Sequence, residues 1–257
     1  MPKLTEMLSL KNKTETSCDL YLYGDIVSNW IQKIFTFDDE SKYPAEIRNF
    51  LKEANGRNLN IYINSAGGNV FAGTAIYNML KRYKGHKVVH VDSLAGSIAS
   101  MIMFAGDEIH VPNNAYIMVH KPSIAPSGAM NAHELREYAD TLDKFEEGII
   151  SVYLENKLDG IPDTKIREMV NKTTWIRGSE AAAYFRVKSN PPVQVLNCAS
   201  DLIGKDAPED IVKALNREND IRIAKAKLEL LNCQIGGIQN EKRRIFKQKN
   251  RTLQPGQ

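Results

Sequence analysis

Residues 58–80 read NLNIYINSAGGNVFAGTAIYNML, and the order of residue types within them decides the fold class. NLNIYIN, ending at Asn64, has the β-branched and aromatic content of a strand. The Gly67-Gly68 pair stops it, and Ala72, Ile76, Met79, Leu80 and Tyr83 then fall on one face at helical spacing. A strand, a glycine turn and an amphipathic helix make half of a β-α-β crossover.

The same alternation extends in both directions. Upstream, LYLYGDIV from Leu20 reads as a strand, and Ile47, Phe50, Leu51 and Ala54 after Pro44 give a helical face. Downstream, KVVHV ending at Val91 is a strand, and SLAGSIASMIMFAG is a small-residue-rich helix that stops at Gly106. EIHV and AYIMVH are short strands, the second closed by Pro122. A long helix is expected from about Met130 to Asn156, a shorter one after Pro162, and a last one near Ser179, a suitable N-cap. Strands alternating with crossover helices predict an α/β fold of repeated β-α-β units around a mostly parallel sheet.

Outside that block the pattern changes. Residues 1–19 are polar and basic without a sustained period and read as a flexible arm, leaving 20–205 as the main domain. A strand, VQVL, is expected after the Asn190-Pro191-Pro192 break. Residues 206–257 read as a C-terminal helical extension in which Ile221, Ala224, Leu228, Leu231, Ile235 and Ile238 form a heptad-like stripe. That stripe suits either a helix lying on its own domain or one that binds a partner. Gly236-Gly237 interrupt it, and EKRRIFKQKNR follows as a basic tail.

With 42% apolar and 25% charged residues the 257-residue chain has the composition of a packed globular protein, not a disordered one. The 34 basic and 31 acidic residues balance too closely to mark a nucleic-acid-binding domain. Cys18, Cys198 and Cys233 are scattered, odd in number and without a CxxC pair, so neither a disulfide framework nor a zinc ribbon is indicated. A cytoplasmic location is expected, since no signal-peptide core and no run of about 18 apolar residues is seen. There is no phosphate-binding glycine loop and no HExxH spacing, so neither a nucleotide, another cofactor nor a metal is expected; His86, His90, His110 and His133 read as structural or exposed.

Three elements carry candidate chemistry. Asn64-Ser65-Ala66-Gly67-Gly68 ends a buried strand, and paired glycines there free peptide N–H groups beside a cavity, as an oxyanion hole requires. Gly96-Ser97-Ile98-Ala99-Ser100 puts a serine among small residues at a helix start, where the hydroxyl is approachable and developing negative charge is favoured. His120 ends an apolar strand before Lys121-Pro122. Each alone also suits a purely structural role. Together they run glycine turn, serine and histidine in order, each at the end of an element.

This combination resembles the ClpP family of serine proteases, in particular its bacteriophage-type branch, the ClpP-related head maturation proteases. The resemblance rests on LYLYGDI, INSAGGNVFAG, SLAGSIASMIMFAGD, NAYIMVHKP and TTWIRGSEA, from Leu20 to Ser189. It implies the ClpP/crotonase-type fold and makes Ser97 the nucleophile, rather than Ser93 or Ser100, because the run through Ala105-Gly106 then aligns without a gap. It makes His120 the general base, gives the oxyanion hole to the backbone N–H groups of Gly68 and Ile98, and has Asn69 lining the substrate. It further implies peptide or protein substrates bound as an added strand, and a ring-forming homo-oligomer whose rings meet through the long helix. An ATPase ring, or phage capsid and scaffold proteins, are the implied partners.

The sequence departs from the family where the third member of the triad belongs. That position, two before the aromatic that here is Trp175, is Thr173, and Asn171, Lys172 and Thr174 are not acidic either. Phe185 stands where the family usually has glycine, and Lys188 where it usually has aspartate. A serine endopeptidase processing phage capsid or scaffold proteins is the leading expectation. A catalytically weak or inactive assembly protein that keeps the fold is the alternative, and an acyl-CoA enzyme of the crotonase type is a third.

Overall fold

The computed structural model describes residues 14–29, 41–126 and 128–191, all within one unit of the chain, residues 1–208. The expected VQVL strand and the C-terminal extension with its stripe and tail lie outside the described residues, as does most of the N-terminal arm.

A seven-stranded sheet is built from β1 (Ser17–Tyr23), β2 (Asn58–Ser65), β3 (Lys87–Gly96), β4 (Glu108–Pro112), β5 (Tyr116–Val119), β6 (Thr174–Arg177) and β7 (Lys188–Asn190). The order β1-β2-β3-β4-β7 is parallel throughout. The connecting helices are α1 (Pro44–Ala54), α2 (Val70–Arg82), α3 (Ile98–Met103), α4 (Ala132–Asn156), α5 (Asp163–Asn171) and α6 (Gly178–Ala181). The α/β reading of repeated crossovers is therefore what the chain adopts.

Alternation along the strands sorts the two faces of the sheet. Leu20 and Leu22 of β1, Leu59, Ile61 and Ile63 of β2, Val89 and Val91 of β3, and Ile109 and Val111 of β4 are buried, in one apolar cluster with side chains from all six helices. Burying each such side chain contributes about 1.5–3 kcal/mol. The intervening residues form an aromatic row on the other face: Tyr21 stacks on Tyr62, Tyr62 on His90 and His90 on His110, with centroids 4.8, 5.1 and 5.2 Å apart. His90 and His110 are thus structural, and His86 and His133 are exposed.

Several boundaries differ from the sequence reading, for physical reasons. The first strand begins at Ser17 rather than Leu20, because Cys18 is fully buried and pairs in register with Leu59. The segment Ser93–Gly96 continues β3 instead of opening a helix, and α3 starts only at Ile98. Small residues at helix-compatible spacing permitted both conformations; strand pairing selected one. β3 forks there: Val88–His90 pair with β4, whereas Leu94–Gly96 pair with β5. The strands β6 and β7 were not foreseen, and the last helix begins at Gly178 with Arg177, not Ser179, at its N-cap.

Candidate active site

The fork in β3 places Ser97 at the junction of β3, β5 and α3. Its backbone has φ 51° and ψ −126°, a left-handed conformation that costs a non-glycine residue of order 1–3 kcal/mol. Such strain persists only where the surroundings enforce it. Here the Ser97 amide donates to the Met118 carbonyl at 2.8 Å, binding the turn to β5. β5 ends one residue later at Val119, and His120 follows. The result is a Ser97 Oγ to His120 Nε2 distance of 2.7 Å.

Two glycines close the opposite side. Gly67 has φ 107°, and a Cβ there would lie 2.8 Å from both the Gly96 carbonyl oxygen and the Ser97 Cβ, and 3.1 Å from the Ile98 nitrogen. Gly68 has φ 141°, and a Cβ there would lie 2.2 Å from the Ile26 carbonyl oxygen. Only glycine allows this turn to press against the serine. A parallel bridge joins Ile26 to Gly68: the Ile26 amide donates to the Gly67 carbonyl at 2.8 Å, and the Asn69 amide donates to the Ile26 carbonyl at 2.7 Å. In a parallel bridge the flanking residues supply the hydrogen bonds, so the Gly68 N–H points to the far side. Ile98 is the first residue of α3, and its N–H has no acceptor within the helix.

The substrate-lining candidate Asn69 has a structural duty of its own. Its Oδ1 accepts from the Ala72 amide at 2.9 Å and caps α2.

His120 is half-buried, and burial alone holds its imidazole below the usual histidine range. No carboxylate among the described residues counteracts that effect. Glu146 pairs with the neighbouring Lys121 at 3.0 Å, not with the histidine. Thr173 follows from the β5–β6 register: Val119 pairs with Thr174, so His120 and Thr173 are the next residue beyond the last pair on each strand. No hydrogen bond joins them. Thr173 instead closes α5, with φ 53° and its amide donating to the Val170 carbonyl at 3.3 Å. Thr174 completes that helix end by donating from Oγ1 to the Met169 carbonyl at 2.7 Å.

The other two departures are absorbed structurally. Phe185 is buried against Phe104 and Tyr153, at centroid distances of 5.2 and 6.3 Å. Lys188 Nζ donates to Glu108 Oε1 at 2.6 Å, an ion pair between β7 and β4.

A strained serine hydrogen-bonded to an imidazole that burial holds toward its neutral form, beside a glycine turn and a helix-opening amide, is an arrangement able to carry out acyl transfer. The profile of the Clp protease family matches residues 41–187, more than half of the chain. The chain belongs to the Clp protease family. It is 31% identical over 129 residues to the ATP-dependent Clp protease proteolytic subunit 1 of Chlamydia caviae, covering 49% of this chain and 66% of that protein. Similarity to the chloroplastic ATP-dependent Clp protease proteolytic subunit 1 of Arabidopsis thaliana is 32% identity over 135 residues, 51% of this chain and 67% of that protein. The chain thus matches just under two thirds of the Chlamydia subunit's length. Among the described residues no helix is long and apolar enough to cross a membrane.

Proposed function

We propose that the protein is a serine endopeptidase that cleaves peptide bonds through Ser97 and His120. The 2.7 Å contact between Ser97 Oγ and His120 Nε2 carries this reading. With its proton on Nδ1, the imidazole accepts the Ser97 proton as the hydroxyl attacks a peptide carbonyl. The Gly68 and Ile98 amides receive the oxyanion, the imidazolium returns its proton to the leaving amine, and water releases the acyl group by the same route. Burial keeps His120 neutral and able to act as a base, but the base then works as half of a dyad.

The substrate reading follows the phage-type motifs: capsid or scaffold proteins, bound as an extended strand beside the site. The long α4, whose first turns expose Leu135 and Tyr138, supports a homo-oligomer with paired rings. An ATPase ring is the alternative partner. A fluorophosphonate probe with mass-spectrometric readout tests the reading: wild-type protein labels on Ser97, and Ser97→Ala does not. Cleavage of capsid or scaffold precursors by the wild type alone then tests the substrate.

A second reading is favoured by a specific observation, the absence of any carboxylate on His120 among the described residues. On it the chain is an assembly protein that keeps the fold with little or no catalysis. An intact, oligomeric protein that never labels at Ser97 decides for it.

A further inference from the structure

Behind the candidate nucleophile lies a pair of buried hydroxyls that the dyad does not use. The Ser97 carbonyl accepts two hydrogen bonds from one residue, from the Ser100 amide at 3.0 Å and from Ser100 Oγ at 2.6 Å. Ser100 Oγ in turn lies 2.7 Å from the hydroxyl of Tyr153 on α4. Ser100 and Tyr153 are both fully buried. A serine hydroxyl has one proton, and the Ser97 carbonyl can only accept. Ser100 therefore donates to Ser97, and Tyr153 donates to Ser100. The direction of the relay is fixed.

The Ser97 carbonyl and the Ile98 N–H belong to one planar trans peptide and point in opposite directions. Holding the carbonyl toward the core leaves the N–H on the opposite side, where the Gly67-Gly68 turn lies so close that a Cβ built on Gly67 would be 3.1 Å from the Ile98 nitrogen. The residue preceding this peptide is strained at φ 51°. Rotation of the peptide plane, which would carry ψ of Ser97 from −126° toward the left-handed helical value, would relieve strain and turn the amide away. The hydroxyl pair opposes that rotation.

We propose that Ser100 and Tyr153 are positioning residues whose hydroxyl relay locks the Ser97–Ile98 peptide and so aims the Ile98 amide at the substrate carbonyl oxygen. The inference rests on the serine-protease reading of the same site. It makes α4 part of the catalytic apparatus: a helix reaching from solvent to the core ends in a hydroxyl two hydrogen bonds from the oxyanion donor.

The test is the kinetics of fluorophosphonate inactivation of the full chain, which separates the chemical step, kinact, from the preceding association, KI. Losing a whole oxyanion donor costs about 10²–10³ in rate, so a misaimed one should cost about tenfold or more. Ser100→Ala is expected to lower kinact about tenfold or more, with KI within twofold and the acid limb of the pH profile unmoved. Tyr153→Phe, which leaves the Ser100 to Ser97 bond in place, is expected to lower kinact severalfold with the same signature. A folded, oligomeric Ser100→Ala variant with wild-type kinact overturns the proposal, as does a loss seen mainly in KI. Should Ser100→Ala fail to fold, Tyr153→Phe decides by the same two criteria. A wild-type protein that does not react at all overturns the protease reading, and this inference with it.

Discussion

Thr173 and His120 stand immediately beyond the last pair of β5 and β6, yet no hydrogen bond joins them. Thr173, to which the family resemblance assigns the place of the triad acid, is also the left-handed residue that ends α5, at φ 53°. A β-branched side chain is poorly suited to that conformation, whereas Asn and Asp adopt it more readily. Threonine is the worse choice for both duties.

Replacing it should therefore separate them. Thr173→Asp restores a carboxylate beside the imidazole and relieves part of the backbone strain. The expected outcome is a rate of Ser97 labelling raised about tenfold to a hundredfold, given that a triad lacking its acid loses about 10⁴ in the best-known case. Thr173→Gly is the control: it should gain about 1 kcal/mol in stability by denaturant titration with no gain in labelling. Equal rates in the two variants would show that the carboxylate does not reach His120.

The pH profile carries the same information by sign. Burial disfavours the charged imidazole, so wild-type His120 stays neutral to a lower pH than an ordinary histidine. The acid limb of the labelling rate is expected below about pH 6.5. In Thr173→Asp the carboxylate favours the imidazolium, so the limb moves upward. The stability linkage runs the same way: a histidine whose folded pKa is depressed contributes stability at neutral pH that is lost as pH falls below its unfolded value. Labelling rates at pH 5 to 8 for both proteins test both signs.

The glycine turn makes a prediction that strain alone would not. A Cβ at position 68 would meet backbone, the Ile26 carbonyl at 2.2 Å, whereas one at 67 would meet the Ser97 side chain and the Gly96 carbonyl at 2.8 Å. Gly68→Ala should detach the Ile26 bridge and lower the melting temperature. Gly67→Ala should push directly on the nucleophile and abolish labelling at a smaller stability cost. Because the Gly68 amide is also assigned to the oxyanion hole, both variants should lose labelling, and the larger fall in melting temperature in Gly68→Ala is what separates the glycine that serves scaffold and site from the one that acts on the nucleophile.

Much of this was legible in the chain. The strand, glycine turn and helix of residues 58–80 indicated the crossover, and Ser97 and His120 could be named only because the motifs around them resemble those of the family, since each alone also suits a structural role. What could not be read was pairing. Ser93–Gly96 have no local preference that distinguishes a strand end from a helix start, and only the β5 partner decides. β6 and β7, at four and three residues, are too short to show a period. Tyr153 gave no signal because its hydroxyl faces a residue 53 positions away. Its neighbour Phe185 shows in the sequence only as a departure from the glycine that the resemblance leads one to expect.

That departure yields the last prediction. Phe185 is 1% exposed and fills the space between Phe104 and Tyr153. Replacing it by the glycine that the resemblance expects at this position removes a whole buried ring. The expected cost is about 3–5 kcal/mol, as for other large-to-small core substitutions. In a domain of this size it should appear as a fall of roughly 6–20 °C in melting temperature. The cavity also frees the side of Tyr153 against which Phe185 packs, so Phe185→Gly should slow Ser97 labelling in whatever fraction remains folded. Phe185→Leu, which refills most of the volume, should recover both. A Phe185→Gly protein as stable as the wild type would mean that the ring merely occupies space the core can close, and Tyr153 is held by α4 alone.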